Sequence, residues 1–230
     1  MKRSFTLIEI ILVLIIFGIF ATTITFKIGV NRLDVAADRI IKDILYTESL
    51  AFNEDKYQPF PINSSSKETN RSKYWFKSWW QVRFFKNSNG DYFYEVFSDS
   101  PSFDKRGGPV SEFAIDTLTK KYLTGNYSSN TDDDLNLTHY GVHYITTSKG
   151  AIASNKSFRL LFDNYGNLFL DEGKKGDGGD INPLQREIMV SNQYIKLCVD
   201  SSSCNSDDKT KCIKINITPT GKLYKSKCNI

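Results

Sequence analysis

The chain is poor in the residues that most catalytic sites are built from. Histidine occurs twice in 230 residues, at His139 and His143. Four residues apart is metal-ligand spacing on a helix, but their surroundings read as a strand, where they would stand about 13 Å apart on one face, too far for one ion. Cysteine is absent from the first 197 residues, and Cys198, Cys204, Cys212 and Cys228 are separated by five, seven and fifteen residues with no C-x2-C pair. That spacing argues against a zinc site and for disulfides, hence an oxidising compartment. No Cys–His pairing, G-x-S-x-G or phosphate-binding glycine loop occurs. We therefore expect no enzyme activity, catalytic residue, metal or cofactor. Proline is missing before Pro59, so nothing of that kind interrupts an early helix. Beyond residue 30 no apolar run approaches the roughly 20 residues needed to cross a bilayer.

What is present starts with Met1–Phe26. A basic head (Lys2, Arg3) leads into Phe5-Thr6-Leu7-Ile8-Glu9, and an apolar run follows from Ile10 to Phe20. A secretory signal would have a core of about 7–15 residues and a small-x-small cleavage site; this run is longer and none follows. A plain anchor accounts for the length but not for Glu9, since a carboxylate at the centre of a membrane helix costs roughly 2.5–3.5 kcal/mol. The positive head predicts a single-pass segment with the remainder exported. The net charge of +4 is mild, and hydrophobic residues at 40% suffice for a packed core.

The run K-R-S-F-T-L-I-E-I-I-L-V-L-I-I-F-G-I resembles the N-terminus of type IV pilins and of the pseudopilins of type II secretion. The resemblance implies that a prepilin peptidase cuts between Ser4 and Phe5 and methylates the new Phe5 N-terminus. Gly18 also matches; Ser4 stands where the family usually has Gly, and Phe26 lies where a proline is frequent. In such a fibre the Glu9 of one subunit meets the Phe5 amine of a neighbour. Removing one partner of a buried pair typically costs about 3–5 kcal/mol.

From Val30 a 3.6-residue stripe continues through Leu33, Ala37, Ile40, Ile41, Ile44, Leu45 and Leu50, opposite Asp34, Asp38, Arg39, Lys42 and Asp43, which reads as an amphipathic helix. Joined to the first segment it predicts a rod of roughly 50 residues and about 75 Å, with Gly18 and Gly29 as bending points. After a loop over 58–73 the chain turns to β: Tyr74–Lys86 and Asp91–Phe97 around a turn at 87–90, then Glu112–Leu118, Leu137–Thr146, Phe158–Phe162, Leu168–Leu170, Tyr194–Val199, Cys212–Thr218 and Lys222–Lys227. Asp163–Asn167 reads as a tight turn. Centring the last turn on Pro219-Thr220-Gly221 pairs Ile217 with Leu223, Ile215 with Lys225 and Cys212 with Cys228. This favours Cys212–Cys228 with Cys198–Cys204; the competing set is Cys198–Cys212 with Cys204–Cys228.

The segments Trp79–Phe84, Phe162–Gly166 and Ile215–Lys222 are similar, in that order, to parts of H-type pseudopilins and FimT-type minor pilins. The implied fold is α+β and pilin-like, a long N-terminal helix packed on an antiparallel β-sandwich-like domain. Its boundaries are a leader at 1–4, a transmembrane and assembly half at 5–29, an amphipathic half at 30–57 and a β-rich periplasmic domain at 58–230 with a disulfide-pinned tail. The implied function is a minor pilin or pseudopilin of the inner membrane, built into a type II secretion or type IV pilus fibre. Its partners would be other such subunits, the prepilin peptidase and the inner-membrane assembly platform.

The alternative is a DNA-binding minor pilin of a competence pilus. FimT-type pilins bind DNA through basic residues after a T-G turn. Thr220-Gly221-Lys222 fits, Lys225 and Lys227 follow, and Tyr224 takes the place of a second basic residue. Lys209, Lys211 and Lys214 enrich the same tail. The acidic loop holding Asp171, Glu172, Asp177 and Asp180 lacks the ladder spacing of an EF-hand and reads as solvated. Asn136-Leu137-Thr138, preceded by Asp134, is a glycosylation acceptor triplet.

Overall fold

The computed structural model describes residues 7–24, 31–57, 60–66, 69, 72, 75–98, 113–125, 130–154, 156–171 and 188–229. The chain divides into two units, Met1–Val30 and Asn31–Ile230.

The described part of the first unit is helix α1, Leu7–Ile24, in which Ile, Leu, Val and Phe occupy every side and Glu9 sits in the first turn. A carboxylate there complements the partial positive charge of a helix N-terminus. The second unit opens on helix α2, Arg32–Asn53.

Among the described residues two helices replace the expected rod, and no long N-terminal helix packs on the sheets. Asn31 supplies a physical reason. Its backbone is extended (φ −69°, ψ 105°), and its side-chain oxygen accepts the Leu33 N–H at 3.1 Å. That is an N-cap, the start of a new helix rather than the middle of an old one. The Asn31 side-chain amide also donates to the Lys209 carbonyl at 2.8 Å. No described helix is long and apolar enough to cross a membrane. The expected transmembrane half, and with it the single-pass inner-membrane location and periplasmic placement of the domain, are therefore not supported. In α2 the reason is plain, because charged residues recur along its length.

In α2 the expected stripe is buried at Leu33, Ala37, Ile40 and Ile44 and joined by Ala36 and Ala51, whereas Ile41 and Leu50 are half-buried, Leu45 is exposed, and Asp43 of the expected charged face is buried. It lies on strands of two antiparallel sheets. The first has the order β2-β1-β5-β6, with β1 Trp80–Lys86, β2 Tyr92–Ser98, β5 Phe158–Phe162 and β6 Leu168–Asp171. The second has the order β4-β3-β7-β8-β9, with β3 Tyr144–Thr147, β4 Gly150–Ala151, β7 Gln193–Cys198, β8 Cys212–Ile217 and β9 Leu223–Ser226. Side chains from both sheets and from α2, among them Ile40, Val82, Phe84, Leu160, Ile195 and Ile215, form one core.

The β1–β2 and β5–β6 hairpins and the C-terminal meander follow the sequence reading closely. Ile217 pairs with Leu223 and Ile215 with Lys225. In the β5–β6 turn the Asp163 carboxylate accepts the N–H groups of Tyr165 and Asn167, and Gly166 takes φ +78°. Three stretches differ. Trp75–Ser78 is a 3-10 turn rather than the start of a strand. Within Glu112–Leu118 only isolated bridges form, from Phe113 to Phe97 and from Ile115 to Tyr122; Glu112 lies outside the described residues. Leu137–Tyr140 is a 3-10 turn capped by Asn136, whose side chain accepts the Thr138 N–H, and closed by Gly141 at φ 81°, so β3 starts only at Tyr144.

One buried ionic network ties α2 to the loops. The Arg39 guanidinium donates to Asp43 at 3.0 Å, Asp116 at 3.0 Å and Asp132 at 2.8 Å. Tyr94 donates its hydroxyl to Asp43 at 2.7 Å. Burial pushes the Asp43 carboxyl above its ordinary range, against the opposing pull of Tyr94 and Arg39. Asp116 moves the other way: the Thr119 N–H lowers it most, helped by that of Leu118 and by Arg39.

Candidate assembly and binding surfaces

In α1 the ten apolar side chains between Leu7 and Phe17 are all exposed, from 44 % at Ile16 to 77 % at Leu7. Glu9 shares this exposed surface. The helix therefore offers an apolar cylinder with one acidic group in its first turn. Ser4 and Phe5, the expected cleavage and methylation positions, lie outside the described residues.

The four cysteines converge in one buried cluster with Tyr144 against it. The bonds are Cys198–Cys204 and Cys212–Cys228, the pairing that the final hairpin register favours. The sulfurs of Cys198, Cys204 and Cys212 lie within 4.8 Å of one another, close enough for a shared metal were they not already bonded in pairs.

The expected lysine trio does not gather on one face. Strand alternation sends successive side chains to opposite sides of a sheet, and of the three only Lys225 lies within β9. Lys225 points toward α2 and bonds Asp34 at 2.7 Å and Asp38 at 2.8 Å. Lys222 stands with its ammonium 6.0 Å from the Tyr224 ring centre, and Lys227 is exposed.

The outer face of β7–β8–β9 holds a cationic group that the tail motif missed. Lys196 and Lys214 are direct cross-strand partners, with ammonium groups 5.6 and 5.0 Å from the centre of the Tyr194 ring. Like charges directly opposite are unfavourable in a sheet; burial, then the charge of Lys214, holds the Lys196 ammonium below its usual range. The ring contacts offset part of this. A shallow depression of about 440 Å³ lies beside them, lined by Tyr194, Lys214, Asn216, Tyr224 and Ser226. The signal for this group was positional: Tyr194 and Lys196 share parity with each other and face Asn216 and Lys214.

His139 and His143 are both exposed, His139 in the 3-10 turn and His143 after it, so the shared-strand geometry expected for them does not arise. Asn136 uses its side-chain oxygen as a cap, and its amide meets the His139 ring at 3.2 Å. Of the acidic loop, Asp171 ends β6 and Glu172, Asp177 and Asp180 lie outside the described residues. No protein-family model, curated protein or solved structure matches the chain.

Proposed function

We propose that the chain is a non-enzymatic structural subunit of a fibre of the type II secretion or type IV pilus kind, processed before Phe5 and assembled through α1 with Glu9 as the charged contact. The observation that carries this is α1 itself. A helix apolar on every side belongs in a buried setting, whereas its side chains from Leu7 to Phe17 stand exposed. Burying each of ten such side chains gains about 1.5–3 kcal/mol. Identical helices from neighbouring subunits supply that burial, and Glu9 then meets the Phe5 amine of the next subunit. Contacts of this head-to-tail kind extend a filament instead of closing a ring. The resemblance of Lys2–Ile19 to prepilin N-termini supports the same reading. Mass spectrometry of the chain from its native host is expected to find an N-methylated Phe5 terminus, and an intact Met1 terminus overturns the proposal. Glu9→Leu is expected to be processed normally and yet lost from fibres; incorporation at the wild-type level refutes the role of Glu9.

The outer face of β7–β8–β9 favours a second reading, a DNA-binding subunit of a competence fibre. Lys196 and Lys214, held opposite each other at a cost to the sheet, fit a polyanion, and Lys222 extends the same face. With three phosphates neutralised on a single strand, log K should fall against log salt with a slope of about −2. Lys196→Ala and Lys214→Ala in the Asn31–Ile230 unit are expected to shallow that slope, while Lys225→Ala leaves it unchanged. Absence of salt-sensitive binding removes this reading.

A further inference from the structure

The two disulfides are packed against each other. The Sγ atoms of Cys198 and Cys212, which belong to different disulfides, approach to 3.4 Å. Their residues are direct cross-strand partners on β7 and β8. The Val199 N–H donates to the Lys211 carbonyl at 3.0 Å, which makes Val199–Lys211 the hydrogen-bonded pair and Cys198–Cys212 the non-hydrogen-bonded pair beside it. Residues in that position have Cα atoms about 4.5 Å apart, inside the range that a disulfide spans. A bond between Cys198 and Cys212 therefore needs no movement of either strand. Cys204 differs from the other three in its setting: it lies on the 3-10 turn Ser202–Asn205, between the buried Ser203 and the exposed Asn205, and is the most accessible of the four at 5 %.

We propose that this cluster is a thiol–disulfide exchange relay, in which two-electron reduction at Cys204 moves the remaining bond to Cys198–Cys212 and frees Cys228. The reductant is a dithiol. One of its thiolates attacks Cys204 Sγ, forming a mixed disulfide with Cys204 and expelling Cys198 as a thiolate. Cys198, fully buried and in contact with Cys212, attacks Cys212 Sγ; the Cys212–Cys228 bond breaks and Cys228 leaves as a thiolate that takes up a proton. The second thiolate of the reductant then attacks its own sulfur in the mixed disulfide, and Cys204 departs as a thiol. The reductant ends as a disulfide, and the protein gains two electrons and two protons while keeping one disulfide. Exchange of this kind depends on contact between the attacking thiolate and the sulfur it attacks, and the 3.4 Å approach provides it. The consequence lies at the end of the chain. Cys228 is what fastens the residues after β9, so a reductive event at the Cys204 turn releases the C-terminal tail.

The test uses the full chain in its native state, treated with one equivalent of dithiothreitol, quenched in acid, alkylated and mapped without further reduction. The expected main product has a Cys198–Cys212 linked peptide and alkyl groups on Cys204 and Cys228. A main product that keeps either Cys212–Cys228 or Cys198–Cys204 overturns the relay. So does a folded chain whose disulfides resist the reagent altogether, because Cys204 must be reachable. Cys204→Ser asks the same question without a reductant: Cys228 is expected as the single titratable thiol, and a titratable Cys198 with Cys212–Cys228 intact contradicts the proposal.

Discussion

Replacing Arg39 with Met tests whether the ionic network under α2 holds the second unit together. Arg39 is bound by three carboxylates whose residues are 1 % (Asp43), 4 % (Asp116) and 3 % (Asp132) exposed, and its own side chain is only 18 % exposed. Solvent screening therefore gives little relief. Removing one partner from a buried ionic group costs about 3–5 kcal/mol, because the other charge is stranded. Here each carboxylate keeps a second donor: the Tyr94 hydroxyl for Asp43, the Leu118 and Thr119 N–H groups for Asp116, and the Asp134 N–H for Asp132. The loss should then lie at the lower end, about 3 kcal/mol, from a total of about 5–15 kcal/mol for a domain.

The pH dependence has a definite sign. Asp43 has its folded pKa raised by burial, so the stability linked to its neutral form is present at low pH and lost as pH rises through that raised value. Loss of Arg39 removes a lowering influence and pushes Asp43 further up. Asp116 is depressed; its contribution is present above the ordinary carboxylate value of about 3.9 and is lost only as pH falls below it. Between neutrality and that value, protonation of Asp43 relieves the stranded charge while Asp116 stays ionised. Urea unfolding of the Asn31–Ile230 unit, followed by tryptophan fluorescence, should show a deficit of about 3 kcal/mol at neutral pH that shrinks as pH falls. A deficit below about 1 kcal/mol, or one that grows on acidification, refutes the reasoning.

Two smaller substitutions probe the turns. Gly166→Ala places a side chain at φ +78°, where a Cβ would also come within 2.5 Å of the exposed Phe52 ring; the ring can swing aside, so the backbone dominates and about 1–2 kcal/mol should be lost in the same assay. Asn31→Ala removes the cap of α2 and the bond to Lys209, and should cost about 1 kcal/mol, read as a lower urea midpoint with unchanged slope.

The strands were legible wherever a turn of defined chemistry adjoined an alternating run. Asp163-Asn164-Tyr165-Gly166-Asn167 carries its own carboxylate-to-backbone bonds and a glycine at positive φ, so the β5–β6 register follows locally. Pro219-Thr220-Gly221 does the same for β8–β9. The misread stretches are those where a short polar side chain captured backbone groups first. Asn136 ahead of Leu137-Thr138-His139-Tyr140 folds an apparently strand-like run into a 3-10 turn. Asn31 divides what hydrophobic periodicity alone reads as a single rod. Asparagine competes for backbone donors in just this way, and a periodicity count does not register it.

The tail lysines part from one another for a different reason. Counting lysines after a T-G turn treats a tail as a line, whereas β9 is a strand with two faces. Lys225 goes inward because Asp34 and Asp38 lie on the facing side of α2, which are acids 191 and 187 positions away in sequence. The cysteines show the complementary limit. Two pairings stood open because both are written into the fold. Cys212 faces Cys228 across the last turn, and Cys198 faces Cys212 across β7 and β8. The register argument supported the bonds that form, but it could equally have been applied to the next strand pair. When one cysteine has two partners at bonding range, pairing follows from which thiols meet oxidant and in what order, as well as from geometry. For that reason the competing set contains the Cys198–Cys212 bond that reduction at Cys204 should produce.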